Sequence, residues 1–159
     1  MTNMNVAIPF SAAAILDGAD CAGEVDENLI FDIEEQQKLK FPAEYRVFLK
    51  KYGAALLNGF EVYGLIEAKH AAEDGPPIWV DLRLQFGKPE FNGMPKGLIP
   101  ISDNGGDYKF YLQCAPDAAD ATGSVIVYGP GVDGKKVASG FFEFLERAVL
   151  KGLTPLITA

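Results

Sequence analysis

The first 37 residues contain no lysine and no arginine, and the first basic residue of the chain is Lys38. A secretory signal needs a basic leading region, so this absence argues against one, although residues 12–16 are apolar. The sequence also lacks any apolar run near the roughly 18 residues that a membrane helix requires. We therefore expect a cytoplasmic protein that does not enter a membrane.

Histidine and cysteine are also scarce, which limits the chemistry available to the side chains. His70 is the one histidine, and Cys21 and Cys114 are the two cysteines. No two of these residues have the spacing of metal ligands, and no G-x-S-x-G motif accompanies His70. We predict reduced thiols, no bound metal, no cofactor and no catalytic residue, so the chain is not expected to be an enzyme.

Residues 129–134 spell G-x-G-x-x-G, the pattern of dinucleotide-binding loops. Such a loop must open a helix whose N-terminus faces the pyrophosphate. Here residues 135–138 have a strand pattern instead, and Asp133-Gly134 is predicted to form the turn before that strand. We therefore expect no nucleotide site.

Acidic charge is concentrated at the start of the chain. Eight of the 22 acids lie in residues 1–37, whereas the others balance the 14 basic residues, so the net charge of −8 belongs to the first quarter. Nucleic-acid binding needs a basic surface, which argues against that function. The acids favour steering toward a basic protein partner, with the alternative that they only keep the protein soluble.

Helical patterns lie near both ends of the chain. Asp26 is predicted to cap one helix, Gly53 to end the next, and Ser139 to cap the last. The predicted helices span about residues 11–17, 27–39, 43–52, 67–73 and 141–150.

Short apolar runs separated by turn residues predict antiparallel strands, and Asn58-Gly59 is a strong hairpin pattern. The predicted strands span about residues 55–57, 60–63, 98–102, 109–114, 124–128 and 135–138. The fold class that follows is α+β, a single domain with a mainly antiparallel sheet and helices packed on it. We expect this domain over residues 26–159, with residues 1–25 as an N-terminal extension packed on it or flanking it. Ile78–Phe86 stays ambiguous, because alternating apolar residues favour a strand whereas the preceding prolines and Gly87 suit a helix.

Two surface regions are candidate protein-binding sites. In the first, Phe31 is predicted to lie among three glutamates as an apolar anchor ringed by charge, with the alternative that it packs against residues 1–20. In the second, aspartates and a tyrosine within residues 98–134 form an acidic rim suited to a basic partner. The candidate residues are Glu27, Phe31, Glu34 and Glu35 in the first region and Asp103, Asp107, Tyr108, Asp117 and Asp120 in the second.

Several motifs follow one another in the order of a known superfamily. Residues 41–53 read F-P-A-E-Y-R-V-F-L-K-K-Y-G, which resembles the LPxxYxxFLxxYNG motif of the SUKH superfamily. Residues 59–65, G-F-E-V-Y-G-L, are similar to its GxxxYGL strand. Residues 98–107, L-I-P-I-S-D-N-G-G-D, are similar to its LIPIGDDGGGD hairpin.

The later motifs match as well. Tyr111-Leu112 stands where the superfamily has YxLD, and residues 125–128 and 137–145 are similar to its VYxWD strand and VASSFxEFL helix. The resemblance covers roughly residues 26–150. The sequence departs from the superfamily pattern at Gly53-Ala54, Gln113 and Gly129.

The resemblance implies an α+β fold, a helix over residues 78–86 before the LIPI motif, and no catalytic residue. Bacterial members are mostly immunity proteins of polymorphic toxin systems, and eukaryotic members include the Smi/Knr cell-wall regulators of yeast. We therefore expect a cytoplasmic immunity-type protein that binds a cognate toxin domain, such as a nuclease, in a salt-sensitive complex. A homodimer is also compatible with the sequence. The alternatives are a Smi/Knr-like regulatory scaffold in cell-wall synthesis or signalling and, less favoured, a small enzyme.

Overall fold

A computed structural model describes residues 6–70, 78–114 and 123–158. Within these residues the chain forms seven α-helices and two antiparallel sheets, which confirms the α+β class. The helices are α1 (Phe10–Asp17), α2 (Glu27–Gln37), α3 (Ala43–Tyr52), α4 (Leu82–Phe86), α5 (Pro89–Asn92), α6 (Phe141–Lys151) and α7 (Leu153–Thr158). None of these helices combines the length and the apolar character that a bilayer-spanning segment needs.

The strands follow the predicted order. The first sheet contains β1 (Asp20–Cys21), β2 (Ala55–Leu57) and β3 (Phe60–Val62), in that order. The second contains β4 (Leu98–Asp103), β5 (Lys109–Gln113), β6 (Val125–Gly129) and β7 (Val132–Ala138), each paired with the next. Pairing of Leu57 with Phe60 confirms the hairpin predicted at Asn58-Gly59. A hydrogen bond from the Tyr63 amide to the Ile101 carbonyl, at 2.8 Å, connects the two sheets.

Local capping residues begin and end the helices of the first half. The Asp26 carboxylate accepts a hydrogen bond from the Asn28 amide at 2.8 Å, so the predicted cap of α2 is confirmed. α2 ends at Lys38, whose φ of +57° is the left-handed value more usual for glycine at this position. α3 ends at Gly53, as predicted, with a φ of +77°.

Aromatic side chains of α3 and α6 build the centre of the core. The ring of Tyr45 lies 5.1 Å from that of Phe141, edge to face. Tyr45 is fully buried, and its hydroxyl donates to the Tyr63 carbonyl at 2.6 Å, so its polar end has a partner. One turn along α6, Phe144 packs 5.4 Å from Phe110 of β5. These contacts hold both helices against the four-stranded sheet.

The described part of the N-terminal segment joins the same core. Ala12 and Leu16 of α1 are buried, and the Ser11 hydroxyl donates to Glu146 of α6. β1 adds a third strand to the first sheet by pairing Cys21 with Ala55. Sequence patterns gave no indication of this strand, because two residues are too short for a periodic signal.

The turn predicted at Asp133-Gly134 is wrong. β6 and β7 are joined instead by Pro130 and Gly131, since Gly129 pairs with Val132. Proline supplies the negative φ of the first turn position, and Gly131 has a φ of +75° at the second. Gly134 lies inside β7, where a shift of register makes room for its φ of +76°.

Residues 78–86 are helical in two pieces. A 3₁₀ turn over Ile78–Val80 is separated from α4 by Asp81, whose carboxylate caps α4 by accepting from the Arg83 amide at 2.8 Å. Asp81 also makes a parallel bridge with Gly64. The helix expected over residues 67–73 is a 3₁₀ turn at Ala68–His70, and residues 71–73 lie outside the described ranges.

The cap predicted from Ser139 is also wrong. Gly140 precedes α6, and no side chain at that position caps it. Glu143 reaches back to accept from the Ser139 amide at 2.6 Å, and Glu44 of α3 accepts from the Phe142 amide at 3.0 Å. Burial raises the pKa of Glu44, and the backbone hydrogen bonds at the start of α6 oppose that rise.

Replacement of Gly53 by alanine tests the end of α3. A Cβ there would lie 2.3 Å from the Gly23 carbonyl and 2.8 Å from the Leu65 carbonyl, on top of the strain of its positive φ. We expect Gly53→Ala to lower the free energy of unfolding by about 3 kcal/mol or more, measured by urea denaturation with circular dichroism.

The matched control is Gly59→Ala in the β2–β3 turn. Gly59 has a φ of +99°, but no heavy atom lies within 4 Å of the added Cβ. In the control, the free energy of unfolding should therefore fall by only about 1–2 kcal/mol, from backbone strain alone. Equal decreases in the free energy of unfolding of the two variants would show that the atoms around Gly53 do not exclude a Cβ there.

Candidate functional site

The structure removes Glu34 from the predicted binding surface. Its side chain is 2% exposed, so the prediction that it lies beside Phe31 on the exposed face of α2 is wrong. Arg46 of α3 lies 2.6 Å from one carboxylate oxygen, and the Phe41 amide donates to the other at 2.8 Å. Glu34 follows the buried Ile30 by four residues, which is the helical spacing that could have revealed its position.

Glu27 is exposed, but its charge is paired within the protein. Its carboxylate makes ion pairs with Arg46 and, at 2.8 Å, with Lys50. Hydrogen bonding to Lys50, then to Arg46, lowers the pKa of Glu27, so it is ionised at neutral pH. Asp32 and Glu35 are exposed and make no ion pair with any residue of the described ranges. These two acids of α2 are the ones available to an incoming partner.

Phe31 is half exposed rather than enclosed. Its side chain is 49% exposed. The Lys40 ammonium lies 5.3 Å from the centre of its ring, a cation–π arrangement. Phe31 is therefore accessible to a partner, although a lysine of the chain already covers part of it.

The second predicted region is only partly available. Asp103 accepts from the Tyr63 hydroxyl at 2.5 Å and from the Gly105 amide at 2.7 Å, which holds the β4–β5 turn. Asp107 is exposed in that turn.

Tyr108 braces the β6–β7 turn instead of projecting from the surface. Its hydroxyl donates to the Pro130 carbonyl at 2.8 Å, and its ring lies so close to Gly129 that a Cβ there would be 2.2 Å away. Asp117 and Asp120 lie outside the described residues. Within the described ranges, no hydrogen bond or ion pair links this region to α2, so the two predicted regions remain separate.

Sequence reasoning missed an exposed aromatic side chain, Trp79. It is 51% exposed, and its indole N–H donates to Glu61 of β3 at 3.3 Å. Its carbonyl accepts from the Gln85 side chain at 2.7 Å. Leu84, the residue before Gln85, is 45% exposed. We call Trp79 and Glu61 the Trp79 surface. The only sequence feature that could have indicated it is that Trp79 is the one tryptophan of the chain.

The cysteines and the histidine lie in surroundings that do not activate them. Burial raises the pKa of the Cys21 thiol to about 11, with Asp20 and Asp17 adding to the rise. Burial also raises the pKa of Cys114, so both thiols are protonated at neutral pH. The ring of His70 packs against Gly23, and its Nε2 is shielded from solvent without a hydrogen-bond partner among the described residues.

A groove of about 580 Å³ lies beside Cys114. The described residues of its lining are mainly apolar, with two lysines, and they include no carboxylate or histidine that could pair with the thiol. Within the described ranges, no group of three or more histidine, cysteine or acidic side chains is arranged to hold a metal ion. The described surface can therefore interact with a partner through charged groups, hydrogen bonds and exposed aromatic side chains.

Comparison with models of protein families assigns most of the chain to a known family. Residues 24–147 match the model of the SMI1 / KNR4 family (SUKH-1). The matched stretch begins before α2 and ends inside α6, so it includes β2 to β7 and the Trp79 surface. A search of curated proteins found no matching relative.

Replacing Glu34 by alanine should destabilise the fold. It would leave the Phe41 amide without its partner and would take from Arg46 the buried one of its two carboxylate partners, so we expect Glu34→Ala to lower the free energy of unfolding by about 3 kcal/mol. Glu35→Ala is the matched control, because Glu35 is the neighbouring exposed glutamate, and its change should stay within about 0.5 kcal/mol. Urea denaturation measures both, and a loss in Glu34→Ala no larger than in the control would contradict the structural role.

The thiols should react slowly with iodoacetamide in the folded protein. With a pKa of about 11 instead of 9.0, Cys21 has about a hundredfold less thiolate at neutral pH, and Cys114 is buried as well. Mass spectrometry should show rapid labelling of both residues in urea and slow labelling without it. Fast labelling of either thiol in the native protein at pH 7 would reveal an activated cysteine.

Proposed function

This chain belongs to the SMI1 / KNR4 family (SUKH-1), and from that premise we propose that it is an immunity-type protein that neutralises a cognate polymorphic toxin by binding it directly. We propose that this chain binds the toxin in the cytoplasm. The toxin would be an enzyme that acts on nucleic acid, such as a nuclease. This chain would cover the toxin's active site and would make or break no covalent bond itself.

Unpaired acidic charge at the start of the domain is the observation that carries the proposal. Glu24, Asp32 and Glu35 are exposed, and no ion pair within the described ranges compensates them. An enzyme that binds nucleic acid presents a basic cleft, because its substrate is a polyanion. An acidic protein can occupy that cleft in place of phosphates, and charge complementarity speeds the association.

Protonated thiols and an isolated histidine support action by binding rather than by catalysis. A nucleophilic cysteine needs a lowered pKa, whereas burial raises the pKa of both Cys21 and Cys114. The Nε2 atom of His70 has no hydrogen-bond partner, so no side chain in the described ranges orients it as a general base.

A regulatory scaffold is the second candidate, because the matching family is described by its SMI1 and KNR4 members. The same acidic surface would then bind a signalling or cell-wall synthesis protein. The neighbouring gene separates the two candidates: a toxin gene favours immunity, and its absence favours the scaffold.

Binding to the product of the adjacent toxin gene should depend on salt. We expect the two proteins to co-purify, with an association rate that falls about tenfold between 50 and 500 mM NaCl, because salt screens long-range attraction. Surface plasmon resonance measures this rate. An association rate that salt does not change would contradict the electrostatic part of the proposal.

Variants that remove acidic charges test whether the acids of α2 cause the fast association at low salt. Asp32→Asn combined with Glu35→Gln should slow association several-fold at low salt, because both exposed acids lack ion pairs in the described ranges. Asp133→Asn is the control, an exposed aspartate on β7 instead of α2. If the control slowed association as much as the α2 variant, net charge alone would account for the steering.

A further inference from the structure

Both the indole and the backbone of Trp79 have hydrogen-bond partners, although half of its side chain faces solvent. Its indole N–H donates to Glu61, and its carbonyl accepts from Gln85, which is itself 2% exposed. The next residue, Val80, is fully buried, and its carbonyl accepts from the Gly64 amide at 2.9 Å. An aromatic ring held in this way loses little conformational freedom when a partner binds it.

The exposure of Trp79 is not required by the fold. Val80 and Leu82, on either side of Asp81, supply the buried contacts of this segment, whereas the indole is 51% exposed. Exposed tryptophan is unfavourable for solubility, and tryptophan is enriched among the few residues that dominate binding energy in interfaces. Leu84 of α4, the helix that follows this turn, is also 45% exposed.

One carboxylate contacts the indole, and a second is bonded to the same chain segment as the first. Glu61 bonds the indole, and Asp103 bonds the Tyr63 hydroxyl two residues further along the chain. Arg83 is the cation on this segment, and it is already bound to Asp81 and to the Ile66 carbonyl. The surface therefore offers an indole face and negative charge, which together suit the side chain of arginine.

We propose that Trp79 is the central anchor of the toxin-binding surface and receives an arginine-bearing segment of the toxin, whose guanidinium pairs with Glu61. This assignment rests on the proposed function and names the surface that performs it. A second copy of the chain fits poorly, because a twofold interface would bring each Glu61 and Asp103 against the same patch of another protein of net charge −8.

A fluorine probe tests the anchor without any mutation. Because Trp79 is the only tryptophan, 5-fluorotryptophan incorporated into this chain gives a single ¹⁹F signal. We expect that signal to shift when the catalytically inactive product of the adjacent toxin gene is added. A toxin that binds without moving the signal overturns the assignment and leaves the proposed function standing.

Substitutions measure what the anchor contributes. Trp79→Ala should weaken toxin binding at least tenfold, and Glu61→Gln about threefold, in calorimetric titrations. Leu150→Ala is the control, an apolar residue of α6 that is 80% exposed, and its affinity should change less than twofold. Circular dichroism checks that each variant is folded, and equal affinities for Trp79→Ala and Leu150→Ala would overturn the assignment.

Two further results show whether the proposed function or only the assignment of Trp79 is wrong. If the unaltered chain does not bind the toxin, both the proposed function and this assignment fail. If the ¹⁹F signal shifts with the concentration of this chain alone, a second copy occupies the surface, and the toxin is not its partner.

Discussion

Close packing of backbone around Gly53 and Gly64 is the constraint on which the rest of the structure depends. A Cβ on Gly64 would lie 1.7 Å from the Gly53 carbonyl oxygen, so the two chain segments approach as closely as backbone allows. The Gly53 carbonyl accepts from the Leu65 amide at 2.9 Å, and Gly64 bonds to Val80 and Leu82 at 2.9 and 2.7 Å. The end of α3, the strand β3 and the turn that presents Trp79 are thereby held together. The proposed anchor is rigid because the backbone beneath it is.

The acidic side chains of this protein fall into two groups, buried and exposed. Glu34 and Asp81 are buried, and each neutralises an arginine while accepting backbone amides, so they stabilise the packing of helices and turns. Asp32 and Glu35 remain at the surface, where attraction acts over about a Debye length before contact. Steering of this kind changes the rate of encounter, whereas a rigid aromatic side chain such as Trp79 lengthens the life of the complex. The proposed function needs both, and they lie on different elements.

Local chemistry explains where sequence reasoning was right and where it was wrong. The Asp26 cap and the Asn58-Gly59 hairpin depend on neighbours a few residues away, and both are as predicted. Two residue pairs near the β6–β7 connection, Pro130-Gly131 and Asp133-Gly134, carry equally good turn residues, and only the register of the strands selects the first. Ser139 had the right chemistry for a cap, but Glu44, from a helix far away in the sequence, takes part of that role.

The sequence by itself determined the order of the longer helices and strands, the resemblance to a family and the concentration of acidic charge in the first quarter, because each depends on residue type and spacing alone. Only the tertiary structure decided which acids remain free and which aromatic side chain is exposed. Glu34 is buried because Arg46 arrives from another helix, and Trp79 is exposed because residues 78–86 fold as two short helical pieces around Asp81. Ion pairing and burial depend on residues brought together from distant parts of the chain, so no local sequence pattern predicts them.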